Sequence, residues 1–204
     1  RFRAKHPKVF LRVIQDVTDR LADALVAHEL DIAVLYHRPR ETDLNFVPLM
    51  ETEMGLVVSN AAPASQFKAL LRLKSISLSR ALQQPLVLPP HGHALRDLLE
   101  SHGVHQRVAL KVPIESDSLP LSKSLVLAGH GCTVDTLGSV HEEVSRGEFR
   151  FIPIRSPSIL WRMYAATARQ HPQTLAQRAM LQELGNYIRT STASERWNDE
   201  VLNA

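Results

Sequence analysis

Residues 9–36 read VFLRVIQDVTDRLADALVAHELDIAVLY, and the order of features inside them decides the fold. Val9, Phe10, Leu11, Val13 and Ile14 are branched or aromatic with only Arg12 polar among them, the composition of a strand covered on both faces. Asp16, Thr18 and Asp19 then interrupt the run. Thr18 is a candidate N-cap, because its hydroxyl can accept from an orphan amide of the next turn, and Leu21, Ala22, Leu25 and Val26 follow at helical spacing. His28 and Glu29 close the helix, and residues 30–36, LDIAVLY, return as a hydrophobic strand. A strand, a short helix and a strand in that order close right-handed with the strands parallel. Residues 16–18 are therefore expected at a strand's carboxyl end, where such sheets hold ligands.

With 204 residues, 44% hydrophobic and 22% charged, the composition is that of a globular protein with one sizeable core or two small ones, and it excludes a disordered chain. No apolar run approaches the roughly 20 residues of a membrane span. The opening RFRAKHP carries neither an initiator Met nor a signal-peptide pattern. It reads as the basic last turn of a helix stopped by Pro7, so an upstream strand and most of that helix are expected to belong to the parent protein. Cys132, the only cysteine, excludes an internal disulfide and fits a reducing cytoplasm. Between Gly131 and Thr133 it reads as a small buried hydrophobe ahead of a reactive thiol. A net charge of +3, from 24 basic and 21 acidic residues, is too weak and dispersed for this piece to grip nucleic acid itself.

After a polar connector at residues 37–43, two strand-like runs cover residues 44–49 and 54–58, with a domain boundary near Glu51 and Thr52. Residues 60–65 are a loop by composition, and residues 76–82 start a short helix. A short strand at 86–88 runs into Pro89, Pro90, His91, Gly92 and His93, followed by a helix that Gly103 ends. The syntax repeats: strand 107–113, the polar turn Glu115, Ser116, Asp117, Ser118, and helix 119–128 ended by Gly129 and Gly131. A strand over 132–134, a short helix over 140–145 with Gly147 as C-cap, strands at 151–154 and 159–167, and a closing helix over 175–188 complete the chain. Strands alternating with helices predict an α/β protein. Two domains are expected, residues 1–51 with 156–204 and residues 52–155, the chain crossing twice with a cleft between them.

The segments HPKVFLRVIQ, LADALVAHELDIAVL, SLVLAGHGCTV, EEVSRGEFRFIPI and WRMYAATARQHP, in that order and spacing, resemble the regulatory (effector-binding) domain of LysR-type bacterial transcriptional regulators over essentially the whole chain. The resemblance implies a type 2 periplasmic-binding-protein fold, two Rossmann-like subdomains joined by two crossover strands, with a small effector in the cleft. It also implies an N-terminal winged helix-turn-helix and a linker helix, absent here, through which the full protein dimerises or tetramerises and binds DNA. Asp135 and Thr136 stand where the family commonly has an apolar residue and then Pro, and Asp16-Val17 where an acidic residue and Gly are common.

Two polar turns have the address of a ligand site, since helix N-termini present unpaired amides there. Asp16 and Thr18 open the first helix, and Thr18 matches a family position that contacts effector; Ser116, Asp117 and Ser118 open a helix of the second subdomain. As plain caps they need no ligand. Pro90, His91, Gly92, His93 and Tyr36 line the same cleft if the resemblance holds, while Tyr36 could equally pack a crossover. His91, His93, His130 and His141 with Cys132 suggest zinc ligands, but their spacing is poor: His141-Glu142-Glu143 lacks the second His of a helical zinc motif, so no metal or cofactor is expected. No Gly-x-Ser-x-Gly elbow occurs, and Phe46, Trp161 and Tyr164 read as core or interface. The expected molecule is thus a cytoplasmic sensor of a small metabolite, not an enzyme and not a membrane protein. Hydroxyl and cationic groups near the cleft favour an anion, yet no arginine stands at either helix N-terminus, which leaves the effector's charge open. Ala22, Leu25, Val26 and Leu30 would be shared between core and a two-fold interface. A solute-binding protein or a small biosynthetic enzyme on the same fold is the alternative.

Overall fold

The computed structural model of the chain describes residues 1–38, 43–61, 65–170 and 172–192. In chain order the elements are α1 (Phe2–Lys5), α2 (Thr18–Val26), β1 (Ala33–Leu35), β2 (Leu44–Ser59), α3 (Ser65–Lys68), β3 (Ile76–Ser77), α4 (Leu78–Leu82) and β4 (Val87–Leu88). They continue with α5 (Ala94–Gln106), β5 (Ile114–Glu115), α6 (Leu119–Leu127), β6 (Thr133–Thr136), α7 (Leu137–Ser145), β7 (Phe149–Arg155), β8 (Leu160–Ala168) and α8 (Leu175–Thr192). They fall into two compact units, Arg1–Glu51 with Arg162–Ala204, and Thr52–Trp161. The chain leaves the first unit within β2 and returns within β8.

In the first unit β8 pairs antiparallel with β1, Ala33 opposite Ala166 and Leu35 opposite Tyr164, and follows β2 on its other side. Arg162 is ion-paired with Glu51 across those two strands. Helix α2 lays Ala22 and Leu25 onto Ala33, Leu35, Leu44 and Ala166, with Leu21, Leu30 and Phe46 packed around them. Burying Leu25 and Leu35 completely is worth about 1.5–3 kcal/mol each. The Phe46 and Tyr164 rings meet edge to face, 6.1 Å apart, and the Arg38 guanidinium lies over both. These aromatics are packing residues, as is Trp161, which belongs to the core of the second unit.

Two expectations fail in the first unit. Residues 9–14 form no strand: Phe10 and Val13 are 87% and 89% exposed, and no described strand lies beside them. Apolar composition makes a strand only where a neighbouring strand takes up its amides. Thr18 is not the cap but the first helical residue of α2, with Val17 at the cap position and no side-chain cap bond; Asp16 Oδ1 instead accepts from the Val17 amide at 2.8 Å. The helix ends at Val26, and His28 turns the chain with φ of 60°. Part of the connector at residues 37–43, namely 39–42, lies outside the described residues.

In the second unit β2 pairs antiparallel with both β6 and β7, so its half from Met54 onward is flanked on both edges. The two strand-like runs at 44–49 and 54–58 are therefore one strand of 16 residues. The parallel pairs are β3 with β7 and β4 with β5, and Leu86 bridges to Cys132. The core joins Met54, Leu56 and Val58 of β2 to Leu78, Leu82, Leu86, Leu88, Leu99, Val134, Ile152 and Ile154.

Residues 107–113 form no strand. The Lys111 carbonyl and amide bond Leu86 and Leu82 singly, a crossing of chains and not a ladder. Nor does Gly103 end its helix. It sits inside α5, where an added Cβ would come within 2.8 Å of both Leu110 Cδ1 and the Val108 carbonyl oxygen. Arg107 in the left-handed conformation is the C-cap instead.

Gly131 is tightest against backbone: a Cβ there would stand 2.7 Å from the Pro85 carbonyl oxygen and 3.1 Å from Val87 Cγ2. Gly131→Ala is expected to destabilise by about 1–3 kcal/mol, because a backbone atom cannot yield as a side chain can. Urea denaturation checks it; a midpoint unchanged from the parent would show that the β4–β6 approach tolerates a methyl group.

Candidate functional site

Because β4 and β5 run parallel, their carboxyl ends lie side by side, and the Leu88 carbonyl accepts from the Ser116 amide at 2.9 Å. This brings together two of the turns picked out from the sequence. Pro90, His91, Gly92 and His93 lead from β4 into α5, with His93 as the N-cap: its Nδ1 accepts from the Leu95 amide at 3.2 Å. Gly92 takes φ of +83°, which disfavours any side chain, and its amide donates to Asp97 Oδ1 at 3.2 Å. Ser116, Asp117 and Ser118 lead from β5 into α6, with Ser118 Oγ accepting from the Leu121 amide at 3.4 Å. Ser116 Oγ folds the turn on itself, donating to the Ser118 carbonyl and accepting from the Ser118 amide. Two helix N-termini thus open from adjacent strand ends within one unit.

Arg96 ties the two turns together, a residue the sequence reading did not single out. Its side chain is only 7% exposed. Nε donates to Glu100 at 2.6 Å, and Nη1 donates to the Pro89 carbonyl at 3.3 Å and to Glu115 Oε1 at 3.1 Å. Nη2 lies 3.3 Å from His91 Nε2. A guanidinium can only donate, so His91 Nε2 accepts and its Nδ1, 3.1 Å from Glu100, carries the hydrogen. One buried cation therefore ties the first turn to the end of β5, and two carboxylates neutralise it. The signal that would have found it is the i,i+4 pair Arg96–Glu100 just inside the helix start.

In the first unit Asp16 and Thr18 stand at the start of α2 and Tyr36 just beyond β1, on which α2 packs. Thr18 is 9% exposed, whereas Tyr36 is 44% exposed. His37, which the sequence did not single out, places Nε2 3.9 Å from the Asp19 carboxylate and buries Nδ1 with no hydrogen-bond partner among the described residues. The sequence-predicted residues are thus gathered into one group in each unit.

Asp135 continues strand β6, and its Oδ1 accepts from the Thr136 amide at 2.7 Å while Thr136 Oγ1 caps α7 through the Ser139 amide. Burial pushes the Asp135 carboxyl up, against hydrogen bonds from Ser139 and Thr136 and the nearby Lys123 charge. Lys123 is bound by both carboxylate oxygens of Glu143 at 3.0 and 3.2 Å. Burial also pushes the Cys132 thiol up, to about 12, which leaves it a packing residue at neutral pH. Among the described residues no three His, Cys, Asp or Glu side chains converge as metal ligands, and no helix is long and apolar enough to cross a membrane.

Residues 1–189 match the family described as LysR substrate binding domain. The chain is 25% identical over 191 residues to the HTH-type transcriptional regulator BbuR of Bordetella bronchiseptica, a match covering 94% of this chain and 57% of that protein. It thus spans little more than half of that relative's length. Two solved structures share the fold. The effector binding domain of QuiR in complex with shikimate matches with a TM-score of 0.76 and 19% identity, over 93% of this chain and 87% of that one. The Synechocystis PCC6803 CcmR regulatory domain in complex with 2-PG matches with a TM-score of 0.79 and 18% identity, over 92% and 88%.

Arg96→Met is expected to cost about 2 kcal/mol, below the usual figure for breaking a buried pair because Glu100 and Glu115 are 35% and 46% exposed. Hydrogen exchange should quicken at residues 89–93 and 115–118 together; loosening of one turn alone would show that Arg96 does not join them. For Asp135 the raised folded pKa means a stabilisation present below the unfolded pKa and lost as pH rises through the folded one. Asp135→Asn is therefore expected to raise the melting temperature at pH 8 and to change it little at pH 4. Equal shifts at both values would show that the carboxyl pays no ionisation penalty in the fold.

Proposed function

Because the chain belongs to the LysR substrate binding domain family, we propose that it is the effector-sensing part of a DNA-binding transcriptional regulator, a sensor and not an enzyme. The family match over residues 1–189 carries the reading, and the paired turns held by Arg96 support it in chemistry. In this reading the chain binds a small metabolite; the solved relatives' effector-binding and regulatory domains are in complex with shikimate and 2-PG. Asp16, Thr18 and Tyr36 serve it from the first unit, and Pro90, His91, Gly92, His93, Ser116, Asp117 and Ser118 from the second.

An anionic effector fits best. The amides at the starts of α2, α5 and α6 favour negative charge. Arg96 is already neutralised by two carboxylates, so the anion is held by amides and hydroxyls and not by a guanidinium. Binding acts through differential affinity for two arrangements of the protein, and about 1–3 kcal/mol of coupling is enough for a usable response. The response reaches DNA through a helix-turn-helix outside this chain, in a cytoplasmic homodimer or homotetramer. A solute-binding protein or a biosynthetic enzyme on the same fold is the other class; a secretory signal upstream in the parent gene would favour the former.

A thermal-shift panel of small carboxylates tests the reading. A ligand at a hundred times its Kd should stabilise the protein by about 2.7 kcal/mol. Thr18→Ala and Ser118→Ala should each weaken that ligand about fivefold, the worth of one net hydrogen bond. A ligand that binds the parent and both variants equally would leave those residues as helix-start residues only.

A further inference from the structure

Three ionisable side chains gather on the face of the second unit that α6 and α7 cover, and the paired turns held by Arg96 use none of them. Asp135 comes from β6, Lys123 from α6 and Glu143 from α7. Along β6 the side chain of Val134 enters the core that also holds Leu56 and Ile152. Asp135, the next residue, therefore points to the opposite face, where Val126 of α6 and Val140 of α7 pack. Lys123 Nζ stands 3.0 and 3.2 Å from the two carboxylate oxygens of Glu143, with the two side chains only 21% and 16% exposed. That pair ties α6 to α7.

Among the described residues Asp135 is ion-paired to no cation of its own. Its Oδ1 accepts from the Thr136 amide at 2.7 Å, and its carboxyl bonds the Ser139 hydroxyl, which lies 2.9 Å from Thr136 Oγ1. Lys123 is near enough to feel its charge but is already bound by Glu143, a like charge beside Asp135. β2 sets Gly55 opposite, which brings no side chain, and Glu142 of α7 is 84% exposed and paired with Arg146. A carboxyl so placed keeps its proton, since burial and a neighbouring carboxylate both oppose its charge. The two carboxyls are driven apart accordingly. Burial pushes Asp135 up, whereas for Glu143 burial is outweighed by the Lys123 ammonium, which holds it down.

We propose that Asp135, Lys123 and Glu143 form a proton-operated latch between α6 and α7. With the proton in place, Asp135 donates to Ser139 Oγ, Ser139 donates on to Thr136 Oγ1, and Lys123 belongs to Glu143 alone. When the proton leaves to solvent, the chain of hydroxyls reverses: Thr136 donates to Ser139 and Ser139 to the carboxylate. Lys123 is then divided between two carboxylates, and the tie between the helices slackens. Thr136 also caps α7 and lies opposite Met54 of β2, so the start of that helix and the strand beside it register the change. Because Asp135 is raised, the latch is closed in the ordinary carboxylate range and opens as pH rises through the Asp135 value. It needs no effector and stands or falls apart from the effector reading.

Carboxyl 13C NMR of the protein reads these groups directly. Asp135 is expected to titrate above the usual aspartate value of about 3.9 and Glu143 below the usual glutamate value of about 4.3. Glu143→Gln, which frees Lys123 and removes the like charge, should lower the Asp135 midpoint by about one pH unit or more. Hydrogen exchange of the α7 amides, corrected for the intrinsic effect of pH, should quicken about tenfold between about pH 5 and pH 8 in the unsubstituted protein. It should stay constant in Asp135→Asn, with the α5 amides as the control in both. An Asp135 midpoint at or below the usual value overturns the latch, as does a midpoint that Glu143→Gln leaves in place. So does α7 exchange that depends on pH equally in the protein and in Asp135→Asn. If Asp135→Asn does not fold, the two NMR titrations decide.

Discussion

One strand underlies both units, and its backbone bonding is the constraint the rest of the fold answers to. β2 runs for 16 residues, far beyond the usual five or six, and the chain passes from one unit to the other inside it. From Met54 onward it is buried, and β6 and β7 take up its amides and carbonyls on the two edges. Burial of that length is tolerable only with both edges paired, because each unpaired buried amide or carbonyl costs as much as a lost hydrogen bond. Gly55 is the local concession: a Cβ there would stand 2.4 Å from the Phe151 ring, so glycine lets the aromatic lie across the strand. The parallel additions, β3 on β7 and the β4–β5 pair reached through Leu86 and Cys132, are built outward from this frame.

What the sequence disclosed follows from how local each signal is. Apolar runs bounded by Pro, Gly and capping residues identified β4, α5, α6, β7, β8 and α8 to within a few residues, because those signals act over a single turn or strand. The turns at Pro90, His91, Gly92, His93 and at Ser116, Asp117, Ser118 were legible for the same reason. Gly103 misled because a glycine at a helix end and a glycine under a crossing chain look alike in sequence; only the approach of Val108 and Leu110 separates them. Residues 9–14 misled in a different way. Their composition is that of a strand, but strand formation depends on a partner that composition does not contain.

Arg96 shows the same limit in the site. Its partners are 4, 5, 7 and 19 residues away in sequence, so only the Glu100 contact had a local signature. The link to Glu115 adds a side-chain tie to the Leu88–Ser116 backbone bond, so the two turns are joined twice and open together. With it they share one buried charge, and displacing either turn strips partners from a guanidinium whose side chain is nearly buried. The two turns are on this account one stiff element.

That stiffness bears on how a bound molecule would exert force. A ligand shifts an equilibrium only by its differential affinity for two arrangements, so a soft site that moulds itself to the ligand in both arrangements transmits little. The second unit offers the opposite: turns locked by Arg96, helix starts capped by His93, Ser118 and Thr136, and a core packed behind them. The first unit is built differently. The start of α2 has no side-chain cap, and His37 buries Nδ1 without a hydrogen-bond partner among the described residues. An orphan polar atom of this kind carries a desolvation cost of about 1–3 kcal/mol, which any rearrangement that supplies a partner would recover. Among the described residues the two units therefore differ in how their helix starts are satisfied: side-chain caps in the second, none at the start of α2 in the first.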